Sequence, residues 1–151
     1  MNFSVMDISD IRGAAGLGAL AMAIATKHIL IAEDDVLIQR TIRFCLEEVG
    51  CTVGIAGNGL EAVRYIEAKR PDAILLDVFM PESDGIETLI SLKKRFPSVK
   101  VIVMSGGGIK GHYEFLSMAR KLGADGVLRK PITSRDLVPL LEAALQSPNS
   151  D

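Results

Sequence analysis

Four short apolar runs, each followed at once by a polar residue, constrain the fold of this chain more than any other feature. The runs cover residues 28–32, 73–76, 99–104 and 126–129, and each is too short for an ordinary helix. The polar residues that follow them are Glu33, Asp34, Asp35, Asp77, Ser105 and Lys130. Because the carboxyl ends of parallel strands lie at one edge of an open sheet, we expect these side chains to lie close together.

The segments between these runs carry apolar residues at helical spacing, so strands and helices are predicted to alternate. The predicted strands are residues 28–33, 51–56, 73–77, 99–104 and 125–129. The predicted helices are residues 36–49, a helix capped by Asn58 that ends near Lys69, residues 86–95, residues 112–122, and a helix capped by Thr133 or Ser134 that ends near Gln146. Five such units predict an α/β fold with a five-stranded parallel sheet, right-handed crossovers and helices on both faces. The expected buried face of the third helix consists of Ile86, Leu89, Ile90 and Leu92.

Size and charge narrow the function classes. A chain of 151 residues fits one domain, and a net charge of −2 gives no reason to expect direct binding to nucleic acid or to an anionic membrane. No apolar run reaches the roughly 18 residues that a membrane span needs. The two cysteines, Cys45 and Cys51, fit neither a metal-binding spacing nor a disulfide framework. We therefore expect buried thiols in a reducing, cytoplasmic environment.

The first 26 residues differ from the rest in composition. Residues 13–25 are small and apolar, which is typical of a signal peptide, but Asp7 and Asp10 outnumber the single Arg12 before them. We expect either a poorly ordered extension that the fold does not need, or upstream sequence before a start at Met22. The predicted domain covers residues 27–146, and residues 147–151 form a short polar tail.

The polar residues at the predicted sheet edge favour phosphate chemistry with a divalent cation. The adjacent carboxylates of Glu33 and Asp34 repel each other unless a cation lies between them, and Mg²⁺ prefers such oxygen ligands. Asp77 is a carboxylate that can act as a nucleophile and form an acyl phosphate, and Lys130 is the countercharge that phosphoryl transfer needs. Ser105 is a hydrogen-bond donor for a phosphoryl oxygen. Each residue also has a structural interpretation. Glu33 and Asp34 would form a solvated acidic loop, Asp77 and Ser105 would be turn residues, and Lys130 would be a solvated surface lysine.

Two further features of this edge have mainly structural interpretations. Asp35 is expected to be a cap or a first-turn acid of the first helix rather than a metal ligand. Gly106, Gly108 and Gly111 match a dinucleotide-binding glycine pattern, but no acidic residue follows about 20 positions later to bind a ribose. We interpret these glycines as a mobile loop beside the site, and His112 as a helix-start or surface residue.

Taken together, these motifs resemble the receiver domain of two-component response regulators. The resemblance covers residues 27–146 and rests on residues 29–35 (ILIAEDD), 76–81 (LDVFMP) with 84–85 (DG), Ser105, and Lys130 with Pro131. It implies a flavodoxin-like, doubly wound (βα)5 fold and a phosphohistidine on a histidine kinase or phosphotransfer protein as the phosphodonor. It also implies that Asp77 is the phosphoacceptor.

The resemblance assigns roles to the remaining site residues. Asp34 would contact Mg²⁺ directly, Glu33 would act through water, and the backbone carbonyl of Phe79 would complete the metal site together with Asp77. Ser105 would move toward the phosphoryl group and Lys130 would pair with it. Pro131 matches a proline whose preceding peptide bond is commonly cis in the family.

The chain departs from the family pattern at two places. Val127 stands where the family usually has an aromatic switch residue, and three glycines follow Ser105. We expect a stand-alone, non-enzymatic phosphoreceiver that signals to an unknown protein target by protein contact. The alternatives are a pseudo-receiver that never takes phosphate and an aspartate-phosphorylating hydrolase. The hydrolase usually has a second aspartate two positions after its nucleophile, where this chain has Phe79.

Overall fold

The computed structural model describes residues 22–79, 85–106 and 112–148. Its five strands are β1 (His28–Ala32), β2 (Thr52–Ala56), β3 (Ala73–Asp77), β4 (Lys100–Ser105) and β5 (Gly126–Arg129). All pair in parallel in the order β2-β1-β3-β4-β5. This is the flavodoxin-like order, in which the chain reverses its direction of winding between β1 and β3 and opens a crevice at their carboxyl ends.

The five helices are α1 (Val36–Glu48), α2 (Gly59–Ala68), α3 (Gly85–Arg95), α4 (His112–Lys121) and α5 (Ser134–Gln146). Each predicted strand and helix agrees with the structure to within one residue at each end. The side chain of Asp35 accepts hydrogen bonds from the backbone N–H groups of Leu37 and Ile38, and that of Asn58 accepts one from Glu61. The predicted caps of α1 and α2 are therefore confirmed. Thr133 occupies the cap position of α5, without a side-chain capping bond.

Alternate residues of the strands point into two apolar clusters. One cluster packs α1 and α5 against one face of the sheet through residues such as Ile31, Leu46 and Leu141. The other packs α2, α3 and α4 against the opposite face through residues such as Leu76 and Leu92. Both faces of each central strand are covered, which explains why these strands are apolar throughout.

The predicted buried side of the third helix needs correction. Ile90 of α3 is 45% exposed, because it lies about 100° around the helix from Leu89, which faces the sheet. Ile86 is only partly buried. In α1, Val36 and Phe44 are exposed, whereas Ile42, Cys45 and Leu46 are buried.

The end of the N-terminal extension belongs to the fold. Residues 22–24 are helical, and Ile24 is buried in the cluster beneath α1 and α5. The Cys51 thiol donates to the Ile24 carbonyl oxygen at 3.3 Å, and the Thr26 N–H donates to the Gly50 carbonyl oxygen at 2.9 Å. The expected boundary at residue 26 is therefore wrong for residues 22–26. Residues 1–21 and 149–151 lie outside the described part of the chain.

The edge where the strands begin, which we call the amino edge, carries a hydrogen-bonded polar network. The ring of His28 lies between Thr52 and Tyr65, with Nδ1 2.7 Å from the Thr52 hydroxyl and Nε2 2.6 Å from the Tyr65 hydroxyl. The His28 backbone N–H donates to Asp72 Oδ2 at 2.8 Å. Gly54 makes room for this network, since a Cβ there would lie 2.2 Å from the Tyr65 hydroxyl oxygen.

Two lysines complete the amino edge. Lys93 Nζ lies 2.8 Å from Asp125 Oδ2, which also accepts a hydrogen bond from the Val101 N–H. Lys100 is buried, and its ammonium group donates to the carbonyl oxygens of Ser147 and Pro148 at 2.8 and 3.2 Å. These contacts fix the end of α5 beside the start of β4. None of the described helices combines the length and the apolar character that crossing a membrane requires.

Candidate functional site

Four of the predicted site residues lie at the ends of four different strands, on the edge that we call the carboxyl edge. Glu33 follows β1, Asp77 ends β3, Ser105 ends β4 and Lys130 follows β5. Glu33, Asp77 and Ser105 are at most 3% exposed. Burial of two carboxylates at one strand edge is unusual for a structural loop, because isolated buried charges are costly.

The carboxylates and the lysine form one compact cluster. Oxygen atoms of Glu33, Asp34 and Asp77 lie within 4.8 Å of one another. Lys130 Nζ lies 2.5 Å from Glu33 Oε1 and 3.4 Å from Asp77 Oδ2. The Lys130 backbone N–H donates to the Ser105 carbonyl oxygen at 2.8 Å, so β4 and the lysine are held together. The structure thus brings the predicted residues into contact across the crevice between β1 and β3.

Electrostatics of the cluster favour a bound cation. Burial and the neighbouring Asp77 raise the pKa of Glu33 to about 7, against the lowering effect of Lys130. Burial alone lowers the pKa of Lys130, but its hydrogen bond to Glu33 and the negative charge of Asp77 raise it overall. The lysine therefore stays charged, and it contacts Glu33 and Asp77 in a cluster that contains three carboxylates.

The donor set fits Mg²⁺. Three carboxylates supply oxygen ligands, and their spacing of up to 4.8 Å is close to the roughly 4 Å between opposite ligands of one Mg²⁺ ion. Asp34 is exposed and open to solvent, whereas Asp35 is occupied as the cap of α1, which matches the structural role expected for it.

The loop after Asp77 is shaped by two close contacts. The Phe79 backbone N–H donates to Asp77 Oδ1 at 3.0 Å, which fixes one carboxylate oxygen. A Cβ on Gly85 would lie 2.4 Å from the Val78 Cα, so only glycine lets α3 begin this close to the loop. The glycine at position 85 has this physical cause, and residues 80–84 lie outside the described residues. The Phe79 carbonyl as a metal ligand stays a prediction.

Two site neighbours were not predicted from the sequence. The Gln39 amide donates to the Glu33 carbonyl oxygen at 2.5 Å, which holds the acidic loop against α1. The Phe79 ring lies 5.3 Å from the Phe115 ring on α4, measured between centroids, at an angle of 37°. The position of Gln39, one turn after the Asp35 cap, gave a weak indication in the sequence that it lies near the site. Nothing in the sequence indicated the phenylalanine pair, because it joins distant parts of the chain.

The other predictions around the site have mixed outcomes. The Lys130–Pro131 peptide bond is cis, as the resemblance implied. His112 begins α4, which confirms the helix-start interpretation. Gly106 is described and has open space around it. Gly107, Gly108 and Gly111 lie outside the described residues, so the mobile loop stays a prediction.

Comparison with known proteins shows which family this chain resembles. Residues 29–142 match the family model described as response regulator receiver domain. The chain is 37% identical over 128 residues to the transcriptional regulatory protein PdtaR of Mycobacterium tuberculosis, covering 83% of this chain and 60% of that protein. It is 36% identical over 116 residues to the probable C4-dicarboxylate response regulator DctR of Bacillus subtilis, covering 76% and 50%. The chain thus spans about half to three fifths of the length of these curated relatives.

Solved structures show the same similarity in three dimensions. The receiver domain of NtrX from Brucella abortus superposes with a TM-score of 0.74 at 28% identity, over 80% of this chain and 99% of that domain. A CheY-like receiver domain protein from Methanospirillum hungatei JF-1 superposes with a TM-score of 0.71 at 30% identity, over 80% and 94%.

Proposed function

Because this chain belongs to the family of response regulator receiver domains, whose members are generally signalling proteins, we propose that it accepts a phosphoryl group on Asp77 and signals through protein contact. The donor would be a phosphohistidine on a histidine kinase or phosphotransfer protein. The reaction would require Mg²⁺.

One observation carries this proposal. Asp77 is buried, its Oδ1 accepts a hydrogen bond from the Phe79 N–H, and its Oδ2 lies 3.4 Å from Lys130 Nζ. A carboxylate held in this way is oriented as a nucleophile, with a countercharge in place for the phosphoryl oxygens. Ser105 at the end of the neighbouring β4 supplies a hydroxyl at the same edge.

The acid cluster would hold the metal ion. Asp34 and Asp77 are proposed as direct ligands, with Glu33 acting through water and the Phe79 carbonyl as a further ligand. Bound Mg²⁺ would supply positive charge that neutralises the phosphoryl oxygens and the attacking carboxylate. Loss of the contact between Glu33 and Lys130 would free the lysine to pair with the phosphoryl group.

Asp77, Lys130 and Ser105 each have a role in the transfer step. A carboxylate oxygen of Asp77 forms a bond to phosphorus, the bond from phosphorus to the donor nitrogen breaks, and its electron pair returns to the donor imidazole. Lys130 binds a phosphoryl oxygen and the Ser105 hydroxyl donates to another. Since the chemistry is mainly positioning and charge neutralisation, no general base is needed.

Radiolabelled phosphate incorporation tests the acceptor. Wild type should take up label from acetyl phosphate with Mg²⁺ and lose that ability in EDTA, and Asp77→Asn should take up none. Asp35→Asn is the matched control, since asparagine also caps helices and the Asp35 carboxylate is not part of the acidic cluster. Label entering Asp77→Asn at the wild-type rate would show that the acceptor is wrong.

Magnesium titration tests the ligand assignment separately. We expect Asp34→Ala to weaken Mg²⁺ binding most, Glu33→Ala less and Asp35→Ala least. An Asp35→Ala loss as large as that of Asp34→Ala would overturn the order. Because the pKa of Glu33 is about 7, Mg²⁺ binding should also strengthen as the pH rises through that value.

The surface beside the site supports a protein donor. Leu37 at the start of α1 is 72% exposed, and an open apolar groove of about 340 Å³ runs from it to Lys130, Pro131 and Ile132. We propose that the phosphodonor docks here, since Lys130, which lines this groove, lies 3.4 Å from Asp77. Leu37→Ser should slow transfer from a phosphohistidine protein and leave transfer from acetyl phosphate unchanged. If both transfer rates fell equally, the substitution would act on the phosphorylation site and not on docking of the donor.

The competing functions predict different outcomes of the same assays. A pseudo-receiver would bind partners yet take no label, although the charged cluster at Asp77 and Lys130 speaks against it. A hydrolase would release phosphate from organic phosphates continuously, and Phe79 provides no acid–base group where such enzymes usually have an aspartate. A cytoplasmic location is part of our proposal, supported by the free, buried thiols of Cys45 and Cys51.

A further inference from the structure

The residues just before β1 form a short strap at the amino edge. This strap, residues 22–26, makes one helical turn and then bends toward β1, and it belongs to no strand of the sheet. Ile24 is its one fully buried residue, at 1% exposed, whereas Met22, Ala23 and Thr26 are exposed. A single apolar side chain therefore anchors the strap to the core.

Two hydrogen bonds join the strap to the end of α1 and the start of β2. The Thr26 N–H donates to the Gly50 carbonyl oxygen at 2.9 Å, and the Cys51 thiol donates to the Ile24 carbonyl oxygen at 3.3 Å. The Cys51 side chain is buried, and burial, with a smaller effect of Asp72, raises the pKa of its thiol to about 11. Because the thiolate is the reactive form, this thiol is inert while the strap is in place.

The backbone of the strap is strained at Thr26. Its φ of 70° lies in the left-handed region, and no other non-glycine residue among those that the structure describes has a positive φ. A β-branched residue is unfavourable in this conformation, and the exposed Thr26 side chain has little packing to offset the cost. The conformation follows from the close fit of the strap, since a Cβ on Gly50 would lie 3.3 Å from the Ala25 Cβ. The closed strap therefore stores strain that opening would release.

We propose that the strap opens and recloses about Thr26 while the rest of the domain stays folded, and that this opening controls access to the Cys51 thiol. Opening breaks the two hydrogen bonds and withdraws Ile24 from the core, but it relieves the strain. The end of α1 keeps its own bonds, such as that from the Cys51 N–H to the Leu46 carbonyl oxygen at 3.0 Å. Local opening is expected where few buried apolar contacts hold a segment.

Alkylation of the full chain by iodoacetamide under native conditions tests the proposal. The thiolate sulfur forms a bond to the reagent carbon, iodide leaves with the electron pair of the carbon–iodine bond, and the thiol proton passes to solvent. Cys45 is the internal control, because it is buried in the same apolar cluster and no described hydrogen bond joins it to the strap. Peptide mass spectrometry gives both rates, each divided by the rate of the same thiol in the urea-unfolded chain. Cys51 should then react at least about tenfold faster than Cys45.

Three variants separate opening of the strap from unfolding of the domain. Ile24→Ala removes the anchor and should speed alkylation of Cys51 by about tenfold or more, with Cys45 unchanged. Thr26→Gly relieves the strain and should slow alkylation of Cys51 by about threefold to tenfold, since the entropy of glycine in the open strap offsets part of the gain. Leu141→Ala is the matched control, because Leu141 is buried in the same cluster but lies on α5, and it should leave the ratio of the two rates unchanged.

Each measurement has an outcome that would overturn the inference. These outcomes are equal normalised rates of Cys51 and Cys45 in wild type, equal acceleration of both thiols by Ile24→Ala, and unchanged or faster alkylation of Cys51 in Thr26→Gly. Amide hydrogen exchange tests the opening without thiol chemistry. The Thr26 N–H should exchange faster than the Cys51 N–H, and equal exchange would also refute the inference. None of these results depends on phosphate uptake, so the proposed function is tested separately.

Discussion

The two edges of the sheet treat buried charge in opposite ways. At the amino edge, charged groups have complementary partners: Lys93 pairs with Asp125, and Lys100 donates to two backbone carbonyls. At the carboxyl edge, three carboxylates lie within 4.8 Å of one another, and Lys130 contacts two of them, Glu33 and Asp77.

This difference distinguishes a structural network from a binding site. Complementary groups hold the fold together, and removing one member leaves its partner buried and unpaired. Like charges that are held together make the free protein less stable and are relieved when a cation binds. Charged residues thus stabilise the free protein at the amino edge and destabilise it at the carboxyl edge. Measurements of unfolding can detect each effect.

The largest expected effect is at the amino edge. Asp125→Ala should lower the free energy of unfolding by about 3 kcal/mol, because it leaves Lys93 and the Val101 N–H without their acceptor. Both side chains of the ion pair are only 10% exposed, so solvent compensates little. Urea unfolding followed by circular dichroism measures the change. A loss below about 1 kcal/mol, as for a surface pair, would make the two edges alike.

The second effect concerns space rather than charge. Gly54→Ala should destabilise the fold by about 2 kcal/mol, because the added Cβ would meet the Tyr65 hydroxyl and displace it from His28. Gly106→Ala at the carboxyl edge is the control, since a Cβ there would have no neighbour within 4 Å. Thermal melts of both variants test the difference, and similar melting temperatures would contradict it.

The pH dependence of stability should have opposite signs at the two edges. Burial and Asp77 raise the pKa of Glu33 from 4.5 to about 7, so its contribution is present below pH 4.5 and is lost as the pH rises through 7. Burial and nearby Lys69 lower the pKa of His28 from 6.5, against the effect of Asp72. The contribution of His28 is therefore present above pH 6.5 and lost as the pH falls through the lowered value.

Urea unfolding in EDTA at a series of pH values measures both slopes, each limited to about 1.4 kcal/mol per pH unit for one group. Glu33→Gln should flatten the loss toward neutral pH, and His28→Gln the loss toward acid. The account of the carboxyl edge fails if Glu33→Gln keeps the wild-type slope.

A smaller effect, of opposite sign to that of Asp125→Ala, is expected for Asp77→Asn. Without Mg²⁺ this variant should be more stable than wild type by about 1 kcal/mol, because it removes one of three crowded carboxylates. Asp35→Asn, which keeps the α1 cap, should change stability little. A destabilised Asp77→Asn would mean that Lys130 already balances the cluster.

The smallest effect is expected for removal of residues 1–21. A chain that starts at Met22 keeps Ile24 and should unfold within about 1 kcal/mol of the full chain. A chain that starts at Lys27 should lose about 3 kcal/mol, because Ile24 leaves the core. Equal stability of these two shortened chains would show that the Ile24 contact contributes nothing.

The fold could be predicted from the sequence because its signals are local. Four of the five strands are apolar runs with a polar end, and the parallel arrangement alone places Glu33, Asp77 and Lys130 at one edge. Helix rotation could not be predicted at Ile90, since adjacent apolar residues compete for the same face. Ile24 and the Phe79–Phe115 pair escaped prediction because their contacts depend on how distant segments meet.

The hydrogen bonds from Lys100 to the end of α5 have a consequence for joining this domain to other domains. It fixes the end of α5 beside the start of β4, and β1 also starts at this edge, so the chain enters and leaves on the same side. A tag, a reporter or another domain joined before β1 or after α5 would start on the side opposite the acid cluster. The unit can therefore be spliced between other modules without obstructing the approach of a phosphodonor.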